Sequence, residues 1–214
     1  MSKSGELQKL VRRVLKVAGT TYADEAGIRV NDKPMPLFQL LMLCMLASKP
    51  IDAAIATRAA REVFKAGLRT PEAVLAAERC TMIGAFGRAH YVRYDESSAT
   101  RLIALAEVVH EQYSDDLREI AESSRHEVAA AKRMLKKFKG IGDTGADIYL
   151  REVQDTWTWV RPYFDDRARA AAKTLGLPTD AEALGKLSPR NNARLAAALV
   201  RISLDDDLRR QVVG

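Results

Sequence analysis

The sequence predicts an all-α protein of about ten helices, and three observations carry that prediction. Apolar residues recur at helical spacing in segment after segment. No stretch alternates in the manner of a strand, and no internal repeat is visible. Helix stops and starts also fall where capping chemistry places them. Gly19, Gly67 and Gly176 follow periodic runs, and Thr70-Pro71 and Ser188-Pro189 precede new ones.

In chain order, Leu7, Leu10, Val11, Val14, Leu15 and Ala18 mark a first amphipathic helix ended by Gly19. Residues 20–36 read as irregular, closed by Pro34 and Pro36. Leu37 to Ser48 is apolar nearly all round, the pattern of a helix buried at the centre of a lobe. Ser48-Lys49-Pro50 breaks it. An alanine-rich helix runs from Asp52 to Ala66, and a short one from Pro71 to about Arg79. Ile83-Gly84-Ala85-Phe86-Gly87-Arg88 reads as an exposed turn, two glycines around an aromatic. Ala99 to Tyr113 is helical, with Leu102, Leu105, Ala106 and Val109 on one face. Ser124 and Glu127 have the spacing of a capping box.

The stretch that organises the chain is Leu135 to Leu150, LKKFKGIGDTGADIYL. It reads as a helix, a tight turn at Gly140-Ile141-Gly142, and a second helix opened by Asp143. Glycine suits such a turn because positive φ costs it little and its backbone amides approach another surface closely. A turn that opens onto a helix N-terminus favours a phosphate. Lys132, Arg133, Lys136, Lys137 and Lys139 make the flank basic. The alternative is an ordinary αα-hairpin with a solvated basic face. Beyond it lie an aromatic connector, Trp157 to Phe164, and a helix from Asp165 with Ala168, Ala171, Ala172 and Leu175 on one side. Residues 205–214 are charged and expected to fray.

Bulk numbers narrow the class of partner. The chain has 214 residues, room for one large domain or two lobes, and a net charge of +6 favours a polyanion. Cys44 and Cys80 lie far apart with no ligand spacing, and Cys44 falls in an apolar run, which marks a core thiol. His90, His110 and His126 form no ligand set either, so no metal site is expected. With no disulfide framework or leader visible, a reducing cytoplasm is expected. The run Leu40 to Ala47 is too short to span a membrane, so no membrane partner is expected.

The hairpin, connector and following helix together resemble the helix-hairpin-helix DNA glycosylases of the endonuclease III superfamily. In that family a hydrophobic-Gly-hydrophobic-Gly hairpin is followed, after about twenty residues, by an aspartate that opens a helix. Gly140, Ile141 and Gly142 match the hairpin, and Phe164-Asp165 matches the aspartate. More weakly, PLFQLLMLCMLASKPID resembles the buried helix and DNA-facing loop of the family, and Ile83 to Phe86 its wedge loop. The resemblance covers most of residues 36–178. It implies a two-lobed helical fold with a central cleft. One lobe spans residues 30–120; residues 1–29 and 121–214 form the lobe that carries the hairpin.

It also implies site roles. The turn at Gly140, Ile141, Gly142 and Thr144, with Lys136, Lys137 and Lys139, would hold phosphates of double-stranded DNA. Lys49 would enter the gap left by a flipped base, or else is a solvated loop lysine. Phe86 and Arg88 are candidates for the opposite wedge; for Phe86 the alternative is a core position. Trp157, Trp159 and Tyr163 could stack on a flipped base, or pack internally. The catalytic aspartate maps to Asp165, because apolar residues follow it at +3, +6, +7 and +10; Asp166 is the runner-up, since its +3 position is Arg169.

The chain departs from well-known members twice. Where bifunctional members carry a lysine that forms a Schiff base with the sugar, this chain has Thr144, whose hydroxyl cannot form an imine. No cysteine follows Cys80, so the C-terminal cysteines that ligate an iron–sulfur cluster in many members are missing. The expectation is a monofunctional DNA N-glycosylase of base-excision repair, monomeric and without cofactor, cytoplasmic or nucleoid-associated. The alternative is a non-catalytic protein that binds or bends DNA.

Overall fold

A computed structural model of the chain describes residues 3–214. Fourteen α-helices and two 3-10 turns make up its regular structure, with no strand among the described residues. In order the helices are α1 (Lys3–Ala18), α2 (Tyr22–Glu25), α3 (Pro34–Ala47), α4 (Ala53–Lys65), α5 (Pro71–Leu75), α6 (Arg79–Arg88), α7 (Asp95–Tyr113), α8 (Glu119–Ser123), α9 (Val128–Leu135), α10 (Asp143–Val153), α11 (Asp166–Thr174), α12 (Ala181–Leu187), α13 (Asn192–Leu204) and α14 (Asp206–Val213). The surplus over ten comes from one-turn pieces such as α2 and α8, which are too short to show a period.

The chain divides into two compact units, residues 22–149 and residues 1–21 with 150–214. The expected lobe of 30–120 lies inside the first, which extends further and takes in the hairpin turn. Its centre is α3, buried from Leu37 through Leu46 on every face, Cys44 included. That is why its sequence shows no amphipathic stripe. Helices α4 and α7 pack against α3, α6 joins both of those, and α5 covers α7. In the second unit α13 is central and packs on α1, α11 and α14, with Leu195, Leu199 and Ile202 in the core.

Several helix boundaries follow from side-chain caps. Asp52 accepts from the Ala54 N–H at 2.7 Å, Thr70 from Ala73 at 3.2 Å and Asp180 from Ala183 at 2.9 Å. Asp205 caps α14 through the N–H groups of Asp207 and Leu208, so the charged tail expected to fray is helical.

Two further expectations change. Ser124 is buried and donates to the Ala121 carbonyl, closing α8 instead of capping α9. Residues 83–88 form the body of α6, not a turn, because Met82, Ala85 and Phe86 share one buried face. Phe86 is 0% exposed and packs its ring against Tyr91 at 5.4 Å. Its core alternative holds, and burial worth roughly 1.5–3 kcal/mol keeps it from acting as a wedge. Arg88 lies at the exposed end of α6, paired with Glu62 at 2.9 Å.

Candidate nucleic-acid interface and the Asp165 pair

The hairpin turn is built from the inside out. Phe138 and Ile141 are buried, and Phe138 stacks on Tyr113 at 5.5 Å. Gly140 sits at φ +98°, and a Cβ there would lie 3.1 Å from Arg101 Cδ and 3.2 Å from Met45 Cγ. The backbone conformation requires glycine at this position, and a Cβ would also press on both side chains. Gly145, in the first turn of α10, is constrained by proximity alone. A Cβ on it would fall 2.4 Å from Ser48 Oγ, and that hydroxyl is already fixed by donating to the Cys44 carbonyl at 2.6 Å. The hairpin is thereby seated against the C-terminal turn of α3.

This seating creates an open hollow of ≈ 500 Å³. Gly140, Ile141, Gly142, Asp143 and Thr144 line it on the hairpin side; Ser48, Lys49 and Arg101 line it opposite. Lys49 also lies over the Tyr94 ring at 5.6 Å. The hollow therefore gathers a glycine turn, the start of α10 and two cationic side chains, a combination suited to a phosphate. Arg101 and Ser48 escaped sequence reasoning: Arg101 reads as one more polar residue on α7, and only the fold brings it to Gly140.

The basic flank divides into two sets. Lys136 pairs with Asp143 at 2.7 Å, and Lys132 pairs with Asp147. Hydrogen bonding to Lys136, more than its charge, lowers the pKa of Asp143 below the ordinary aspartate value. Arg133, Lys137 and Lys139 are exposed and make no ion pair among the described residues. Of the lysines proposed for phosphate contact, Lys137 and Lys139 are thus available outright, while Lys136 has an internal competitor.

Asp165 is the N-cap of α11, its Oδ1 accepting from the Ala168 N–H at 2.9 Å. Ala168, Ala171 and Ala172 are buried, the stripe counted from Asp165. Its other oxygen, Oδ2, accepts from Arg151 Nη1. Arg151 is 3% exposed and Asp165 7%, so this is a buried ion pair. Just past the end of α10, buried Gln154 clamps the backbone of Tyr163, accepting from its N–H at 2.8 Å and donating to its carbonyl at 2.9 Å. Arg151 and Gln154 together fix the segment that delivers Asp165. Asp166 points to solvent, 95% exposed, and pairs with Arg169 at 2.6 Å.

Trp157 is buried and stacks on half-buried Trp159 at 5.5 Å, so Trp157 takes the packing alternative. Tyr163 is half-buried. No group of three or more His, Cys, Asp or Glu side chains is placed to hold a metal among the described residues, and Cys44 is buried while Cys80 is exposed. No described helix is long and apolar enough to cross a membrane.

No protein-family model matches the chain, and no curated protein matches it. Among solved structures, the chain is similar to endonuclease III in a trapped covalent intermediate with DNA, an estranged-adenine complex. The TM-score is 0.51 at 15% sequence identity, covering 94% of this chain and 85% of that one. Sequence so distant leaves the fold as what the two share: the chain has the all-helical fold of endonuclease III.

Proposed function

We propose that this protein binds duplex DNA through the hairpin hollow and acts in base-excision repair as a monofunctional DNA N-glycosylase. The observation that carries the reading is the hollow itself, where the glycine turn, the start of α10, Lys49 and Arg101 converge on one anion-sized space. The likeness to a DNA-bound endonuclease III supports the choice of DNA over other polyanions. Contacts of this kind hold the backbone and carry no sequence information, so base choice must arise elsewhere.

In the reaction, the bond between C1′ and the base nitrogen breaks, water adds to C1′, and the base leaves with a proton. Asp165 is the proposed carboxylate. Both its oxygens are engaged, one by a backbone N–H and one by Arg151. Each oxygen keeps a second lone pair, but activating a water would require one to reach a side chain that is only 7% exposed. Stabilising a cationic sugar by charge would not, so an electrostatic role fits this geometry better. Thr144 offers no amine, so borohydride should trap no covalent complex; trapping would bring Lys49 or the N-terminus into the chemistry.

A second reading, a non-catalytic protein that binds or bends DNA, is favoured by the same ion pair. The guanidinium of Arg151 offsets the charge that would act on the sugar and gives Asp165 a sufficient structural role as cap and counter-ion. Incubation with duplexes bearing different lesions, followed by alkali to cut abasic sites, separates the two. Base release supports the glycosylase; binding without release across a broad panel supports the second reading.

A further inference from the structure

A second hollow lies at the other end of α3, about 20 Å from the hairpin by helical rise. Its volume is ≈ 440 Å³, within the roughly 300–1,000 Å³ range of small-molecule sites. Arg29, Arg61 and Arg69 line it, and no acidic side chain does. Arg29 and Arg61 have no carboxylate partner among the described residues, unlike Lys65 beside them, which pairs with Glu62. Met35 and Phe64 supply an apolar wall.

Charge alone would make this an ordinary basic patch. The amides make it a site. Gln39 is only 9% exposed and lines the hollow, yet its side chain has no hydrogen-bond partner among the described residues. Asn31 Oδ1, also on the lining residues, is buried without a partner; its Nδ2 donates to the Arg29 carbonyl at 3.1 Å. Leaving the Asn31 oxygen unsatisfied costs about 1–3 kcal/mol, and the Gln39 amide on the same lining offers a ligand edge both a donor and an acceptor. Guanidinium groups alongside call for a phosphate.

We propose that this hollow is a nucleoside phosphate site. The phosphate lies against Arg29 and Arg61, the flat face of the base against Met35 and Phe64, and the edge of the base against Gln39. Adenine is the base whose edge a glutamine amide matches with two bonds. The same chemistry has two sources, a free nucleotide or the 5′-phosphorylated end of a strand. This inference stands apart from the duplex reading, because no residue of the hairpin hollow takes part.

Calorimetric titration of the full chain tests it, with adenosine 5′-monophosphate, inorganic phosphate, and a short adenosine-ended oligonucleotide bearing a 5′-phosphate or a 5′-hydroxyl. Wild type should bind the nucleotide saturably. The double substitution Arg29→Ala, Arg61→Ala, both at exposed positions, should weaken nucleotide and phosphate by about tenfold or more. Gln39→Met should weaken the nucleotide but leave inorganic phosphate unchanged, since only the edge of the base is lost. A preference of about tenfold for the 5′-phosphorylated over the 5′-hydroxyl strand, with the free nucleotide weaker, assigns the site to strand ends; the reverse assigns it to free nucleotides. Absence of saturable binding by both phosphorylated probes overturns the proposal. So does nucleotide affinity that stays within twofold of wild type in the arginine double variant, whether or not Gln39→Met folds. Duplex binding that is absent in wild type, or unchanged in hairpin variants, with saturable nucleotide binding intact would remove the duplex reading and leave this one standing.

Discussion

Around the hairpin the charged side chains stand in solvent with open space before them; around Asp165 they are folded into one another. Lys137, Lys139 and Arg133 are exposed without ion-pair partners, and the ≈ 500 Å³ hollow beside Lys49 and Arg101 is accessible. Asp165 and Arg151 are nearly inaccessible and committed to each other. The difference teaches where each half of the proposed activity can fail. Binding draws on groups that need no rearrangement. Chemistry draws on a carboxylate that already performs two structural tasks, so its removal threatens the fold as well as the reaction.

The largest expected effect is on the buried pair. Arg151→Ala leaves the Asp165 carboxylate buried without its counter-ion and should destabilise the protein by about 3–5 kcal/mol. For a chain of this size that lowers the melting midpoint by roughly 6–20 °C, readable by circular dichroism. A drop under a couple of degrees would mean the pair is dispensable and Asp165 is freer than its burial implies.

Next comes the seat of the hairpin. Gly145→Ala places a methyl 2.4 Å from Ser48 Oγ and should cost about 1–3 kcal/mol while weakening duplex binding, because the turn must shift. The further change Ser48→Gly removes the obstructing hydroxyl and should restore both. Failure of that rescue would show that the close approach is not what fixes the turn.

Smaller again is the open basic face. Replacing Arg133, Lys137 and Lys139 together with alanine should lower the slope of log affinity against log salt by about 2–3, one phosphate contact for each. An unchanged slope would mark the face as merely solvated. The smallest effect belongs to Asp143. Asp143→Asn frees Lys136 and should tighten duplex binding severalfold in a low-salt titration. Since Lys136 lowers the pKa of Asp143, the pair persists above the ordinary aspartate value and is lost only as pH falls through the lowered one. Between about pH 5 and 8 it should add no pH dependence to binding.

Much of this arrangement was legible in the chain itself. The nearly unbroken apolar run of α3, the positive-φ glycine at 140 and the Ala168, Ala171, Ala172 stripe each encode their placement within a few residues. What stayed hidden was apposition. Phe86 between two glycines looks like a turn until Tyr91 and the buried face of α6 are seen to enclose it. Lys136 looks like its neighbours until Asp143 meets it across the turn. Arg151 shows nothing in sequence of its pairing with Asp165, because the irregular connector after α10 intervenes. Local periodicity reports which face is buried, but it does not report which partner is found there.

The most direct test of the account is base release by wild type and Asp165→Asn on a panel of lesion-bearing duplexes, with Asp166→Asn as control. Asparagine has a single acceptor oxygen, so it can keep the α11 cap from Ala168 while losing the bond from Arg151; its melting midpoint is measured alongside, and in the folded variant duplex affinity should hold or rise. The account predicts release by wild type, a loss of about a hundredfold or more in Asp165→Asn, roughly 3 kcal/mol of transition-state stabilisation, and little change in Asp166→Asn. Release that is unaffected by Asp165→Asn, or lost instead in Asp166→Asn, would contradict it, as would a wild type that binds every lesion and releases none.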